Sequence, residues 1–132
     1  MSKRIQRIST LQYSALVEQE NWNKHFVGEI DGKAIKNMED YIAAVWRAFR
    51  FPHTGHMNYY AYLDWIRDLD WLDAESYTLV IHDFNSFMEK FPREKETVIR
   101  SLENNVIPWW ESGIEQFQVG GKAKLFDVYL VD

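Results

Sequence analysis

The amino-acid sequence predicts an α/β fold built on a small parallel sheet of three strands, with about four helices around it. Two observations carry that prediction. Short apolar runs alternate with segments of helical period, in the order β-α-α-β-α-α-β, and strands separated by helices pair as parallel neighbours through right-handed crossovers. The 132 residues are 46% hydrophobic, enough for the core of one domain of ordinary size.

The elements follow in order. Residues 1–24 are polar and mixed, with Leu11, Ala15 and Leu16 offering a short helix; this stretch reads as an extension packed on the domain or partly mobile, ahead of a domain spanning 25–132. His25 to Ile30 reads as a strand with Phe26 and Ile30 on one face, and Asp31-Gly32 as the turn after it. Asn37 is a helix cap with Asp40 at the third helical position. Met38, Ile42, Val45, Trp46 and Phe49 then form one apolar stripe, and Pro52 stops continuation. After a short loop, Asn58 caps a helix running to about Leu69. Tyr77 to Phe84 is a buried strand. Phe84 to Phe91 is a short helix ended by Pro92. Glu94 to Asn105 is a longer one that Pro108 kinks or ends. Gly120-Gly121 is a turn, and Lys124 to Val131 is a closing strand.

Charge and composition narrow the function. A net charge of −5 disfavours phosphate backbones and favours a basic protein partner. The chain has no cysteine, which removes disulfides, thiolate metal sites and cysteine nucleophiles. The start Met-Ser-Lys-Arg-Ile-Gln-Arg leads into no apolar run, and no segment is apolar enough to span a membrane, so the expected address is the cytoplasm. Aromatic residues make up 16% of the chain, six of them Trp; most belong to the core, but Tyr and Trp also anchor interfaces.

The stretch from Gly55 to Leu72 holds the most distinctive pattern. At about 100° per residue, Tyr59, Tyr62, Leu63, Ile66 and Leu69 share one side, which packs on the sheet. Tyr60, Asp64, Arg67, Asp68 and Trp71 share the other, with Trp65 on the flank. Tyr60, Asp64 and Asp68 thus line an exposed ridge, and Asp70, Asp73 and Glu75 extend its negative charge past the helix end. Carboxylates there oppose the helix dipole, at a cost of roughly a few tenths of a kcal/mol each. A local cost without structural return points to binding; a solvated acidic face is the plainer alternative.

These residues resemble the barstar family, intracellular inhibitors of the ribonuclease barnase. The likeness covers about 25–132. It rests on Ile30-Asp31-Gly32, on Phe51-Pro52 leading to Asn58, on Leu63-Asp64-Trp65-Ile66-Arg67-Asp68-Leu69-Asp70-Trp71-Leu72, and on Tyr77-Thr78-Leu79-Val80-Ile81 before a short helix. The resemblance implies a three-stranded parallel sheet flanked by helices, no enzymatic activity and no cofactor. It also implies a surface, spanning His53, Thr54, Gly55, His56, Asn58, Tyr59, Tyr60, Asp64, Arg67 and Asp68, that enters a ribonuclease active site. Asp64 matches the aspartate that occupies the phosphate seat, where a carboxylate replaces phosphate among cationic groups.

The departures from the family pattern point to a partner other than barnase itself. Tyr60 stands where the family has a second aspartate, Gly55 comes one position early, and Leu63 replaces an interfacial tryptophan. Arg67 replaces a small polar residue, and an acidic residue of the last helix has only the neutral Asn104 nearby. A fold kept as a non-inhibitory regulatory module is the alternative function.

Other constellations are weaker. His53 and His56 fall short of the three or four ligands a zinc site needs, so no metal is expected. His82 reads as structural, and Ser76, Ser86 and Ser112 have no nucleophile-elbow context. Gly120-Gly121-Lys122 lacks a phosphate-loop pattern. Asp68 and Asp70 are expected on a convex ridge where water is hard to exclude, which disfavours acid–base catalysis.

Overall fold

The computed structural model describes residues 2–19, 24–52, 55 and 57–132. Four parallel strands, not three, form the sheet: β1 (Ile5–Ile8), β2 (His25–Asp31), β3 (Ser76–His82) and β4 (Leu125–Val131), in the order β1-β4-β3-β2. The added strand, β1, lies in the stretch read as an extension. Only Ile5 and Ile8 mark it as a strand; its place is set by distant partners. Val128 N–H donates to the Arg4 carbonyl (2.8 Å) and Asp132 N–H to that of Ile8 (3.1 Å). Arg4 Nη1 lies 3.1 Å from Asp127, and Arg7 Nη2 3.0 Å from Asp132.

Register stacks the core in rows. Ile30, Ile81 and Leu130 lie side by side, as do Phe26, Tyr77 and Phe126, and so do Gly28, Leu79, Val128 and Ile5. A glycine is required at 28 because the Phe49 ring occupies the space a side chain would take, with Cε2 only 2.4 Å from where a Cβ would sit. The central strand β3 is buried from Tyr77 through Ile81, which is why Leu79-Val80-Ile81 reads as a buried strand; the polar Thr78 within it meets His25 Nε2 at 2.6 Å.

Helix α2 (Met38–Ala48) begins as expected, with Asn37 Oδ1 accepting from Asp40 N–H at 2.9 Å. It buries Tyr41, Ile42, Val45 and Trp46 against the sheet side of the core. Helix α3 (Tyr59–Ile66) follows, and its Tyr62 hydroxyl meets that of Tyr41 at 2.7 Å, both rings fully buried. That shared bond satisfies two hydroxyls no water reaches, and burial raises both phenol pKa values.

Two expectations about proline fail here. The stretch from Phe84 to Phe91 is a chain of turns, not a helix, with Met88 at φ 48°. Pro92 opens helix α4 (Pro92–Ser101), where a missing N–H costs nothing. Pro108 does not end the run. Wide π turns at Leu102–Val106 and Trp109–Gly113 flank it, and the chain stays helical through α5 (Ile114–Phe117). Ile107 N–H reaches Leu102 O and Ile114 N–H reaches Trp109 O, so bonding shifts register on both sides of the proline.

Helix α1 (Thr10–Gln19) links the two outermost strands, β1 and β2. Tyr13 anchors it: its hydroxyl donates to Glu29 Oε1 (2.6 Å), which His82 Nε2 also meets at 3.0 Å. These bonds, that from Tyr13 first, hold the Glu29 carboxyl below its ordinary value of 4.5. A carboxyl depressed in the folded state stabilises the fold fully above its unfolded value and loses that contribution as pH falls through the folded one. Glu29→Gln should therefore lower the urea midpoint at pH 7, with the gap to wild type closing below about pH 4.5. A gap that stays constant with pH would contradict the anchor.

Candidate functional site

The site is built on α3. Asn58 is extended at the helix start, and its Oδ1 accepts from Ala61 N–H at 2.8 Å. Tyr62 and Ile66, then Leu69, are fully buried and fix which way the helix faces. Tyr60 is 79% exposed and the Asp64 side chain equally so. Tyr59 and Leu63 are half-buried, and the Tyr59 ring leans on both Tyr60 and Tyr62. Asn58→Ala removes the cap and should cost about 1 kcal/mol, read as a shift in the urea midpoint.

The helix stops at Ile66 rather than Leu69, and distant indoles explain the stop. Trp110 Nε1 donates to the Ile66 carbonyl (3.1 Å) and Trp109 Nε1 to that of Arg67 (2.8 Å). Orphan carbonyls at a helix end need such donors. Leu69 then takes a left-handed conformation (φ 58°), and a short 3-10 turn follows at Asp70–Leu72. Asp68 therefore sits in the turn after α3 and not one further step along the helical ridge. Trp71, expected to be exposed, is half-buried, donating to the Phe49 carbonyl at 2.9 Å and packing on Phe51 and Trp65.

Arg67 is also less exposed than expected. Its Nε donates to Leu63 O (3.0 Å), Nη2 lies 3.6 Å from Asp64 Oδ1, and the guanidinium is 5.7 Å from the Trp109 ring centre. The ion pair with Asp64 is solvent-exposed on the carboxylate side and is worth under about 1 kcal/mol. Asp68 accepts from Asp70 N–H at 3.3 Å. Burial pushes its carboxyl pKa up, and the Asp70 carboxylate adds to the rise against the lowering effect of that backbone bond. Nearby, Tyr77 is pushed up to about 12 by burial and by Asp70 and Asp68.

These side chains surround a groove of about 350 Å³, lined by Asp64, Arg67, Asp68, Asp70, Trp109 and Gln118. The ridge expected to be convex thus has a concave flank. Trp109 and Gln118 escaped sequence reasoning because they come from the far end of the helical run, more than forty positions from α3. Gly55 and Met57 are exposed beside the site, while His53, Thr54 and His56 lie outside the described residues. Among the described residues, no group of three His, Asp or Glu is placed to hold a metal ion, and no helix is long and apolar enough to cross a membrane. The arrangement presents carboxylates and aromatic rings, the chemistry that receives Arg and Lys side chains.

Fold and site together define a small parallel α/β protein with an acidic, aromatic helix surface. The chain belongs to the Barstar (barnase inhibitor) family, whose model matches residues 25–120. The matched span takes in β2, β3 and α2 to α5 and leaves out β1, α1 and β4. Searches of curated proteins and of solved structures found no match.

Proposed function

We propose that this protein is an immunity-type inhibitor. It acts in the cytoplasm of a bacterial cell by placing its acidic helix and loop in the active site of a basic ribonuclease or related toxin. Family membership supports the partner class, and the observation that carries the reading is Asp64. Its carboxylate stands 79% exposed at the middle of α3, beside the exposed Tyr60. A nuclease pocket built from Arg, Lys and His to hold phosphate accepts a carboxylate in the same seat. Asp68 supplies supporting negative charge, Tyr59 and Tyr60 supply contact area, and Asn58 orients the helix. His53, Thr54, Gly55 and His56 complete the surface. Residues 25–132 form the binding domain, with 1–24 added to it. Arg67, held beside Asp64, favours a partner with an acidic group next to its phosphate seat.

Inorganic phosphate and a mononucleotide should compete with this protein for a barnase-type ribonuclease, raising the apparent Kd in proportion to ligand concentration. An apparent Kd indifferent to either ligand would contradict the phosphate-seat reading. The second reading is a non-inhibitory regulatory module on the same fold. It is favoured by Tyr60 at the second aspartate position and by the Arg67 charge within 3.6 Å of Asp64.

A further inference from the structure

A second surface lies on the opposite edge of the molecule from β1, and it is independent of the α3 site. Strand β2 closes the sheet: it pairs with β3 on one side along all seven residues, without a bulge. Among the described residues, no backbone group bonds to its outer edge between Phe26 and Ile30. Edges of this length are ordinarily guarded by charged side chains, lysine above all, by proline or by a bulge. His25–Asp31 has no lysine, proline or bulge, and its charged residues, Glu29 and Asp31, are both acidic, so they guard it against acidic segments and not against basic ones.

Beside the C-terminal end of that edge, at Glu29, Ile30 and Asp31, lies a groove of about 410 Å³ that Ala34 and Ile35 close at its far end. Ile30 contributes to it from the strand, and Ala43, Ala44 and Ala48 of α2 form the wall. The short alanines hold the helix surface back and leave room beside the strand. The rim is mostly acidic: Glu29 and Asp31 from β2 and Asp40 from α2, against Arg47 alone. Among the described residues, the bonds to Glu29 from Tyr13 and His82 both reach Oε1, which leaves Oε2 for a further cation.

We propose that this edge is a docking site for an extended segment of a basic partner protein, which adds to the sheet beside β2. Main-chain hydrogen bonds give affinity in this mode, and alternating side chains give specificity. Glu29 and Asp31 project on one face of the sheet and Ile30 on the other, by strand alternation. The segment therefore alternates Lys or Arg, set against Glu29 and Asp31, with small apolar residues set beside Ile30 under Ala44 and Ala48. A second copy of this chain fits poorly: it would bring Glu29 and Asp31 against their own like charges, in a protein of net charge −5.

The test uses a fluorescent hexapeptide of alternating lysine and valine, with a glutamate–valine hexapeptide as control, read by anisotropy and by amide shifts of the full chain. The expected result is saturable binding of the lysine peptide only, with shifts confined to residues 26–31 and 43–48. Ala44→Arg, which fills the groove and adds a cation, should weaken binding about tenfold or more. Asp64→Ala should leave the peptide's affinity unchanged, which separates this site from the α3 surface. Absence of saturable binding, or shifts centred on 58–70, would overturn the proposal. So would protection of β2 amides that rises with protein concentration alone, which would assign the edge to a second copy.

Discussion

Asp64→Ala is expected to weaken partner binding by about 2 kcal/mol or more, roughly thirtyfold, while Asp73→Ala changes it by less than about 0.5 kcal/mol. The contrast follows from position rather than charge. Both residues are carboxylates on the exposed surface. Asp64 projects from the body of α3, whose facing is fixed by buried Tyr62 and Ile66, so its placement costs little additional order on binding. In a cationic pocket it would lose water and gain charge-assisted bonds, and truncation would leave the partner's cations buried without an anion. Asp73 lies beyond the 3-10 turn, in a left-handed residue at the rim, where water and salt screen its charge. Surface plasmon resonance at physiological salt reads both. Equal losses for the two variants would contradict the role given to Asp64.

Trp110→Ala should lower stability by about 3–5 kcal/mol, the largest single-residue effect expected from the core. Trp110 is 1% exposed, packs 5.0 Å from the Tyr77 ring on the central strand, and donates to the last carbonyl of α3. Its loss opens a cavity between sheet and helix and strips a buried carbonyl of its donor. Urea unfolding followed by circular dichroism measures the change in midpoint. Trp110→Phe keeps much of the volume but not the N–H, so it should fall between wild type and alanine. An alanine variant with the wild-type midpoint would contradict the packing described.

Local signals made part of this fold legible. Helix α2 announces itself because an Asn cap and an apolar stripe agree, and β3 because a central strand buried on both faces carries a continuous apolar stretch, here Leu79-Val80-Ile81. Strand β1 was missed since two isoleucines separated by Gln6 and Arg7 carry no alternation of note. It becomes a strand only when the far end of the chain offers the β4 edge and the carboxylates of Asp127 and Asp132. The sequence places the end of α3 at Leu69 rather than Ile66 for the same reason, because the indoles that donate to its C-terminal carbonyls lie 42 and 44 positions away. Pro108 misled because proline rules assume an α register, and π turns on both sides relieve them. Within the candidate surface, Asn58, Tyr60 and Asp64 fall where helical geometry puts them. Asp68 and Arg67 do not, since the chain has already left the helix there and Trp109 draws the arginine against itself.

The central claim is tested most directly by titrating the protein into basic ribonucleases of the barnase type other than barnase itself and following RNA cleavage, with Asp64→Ala in parallel. Cleavage should fall to zero at an equimolar ratio with the wild-type chain and persist with the variant. Undiminished cleavage in micromolar excess of wild type, or equal inhibition by Asp64→Ala, would contradict it.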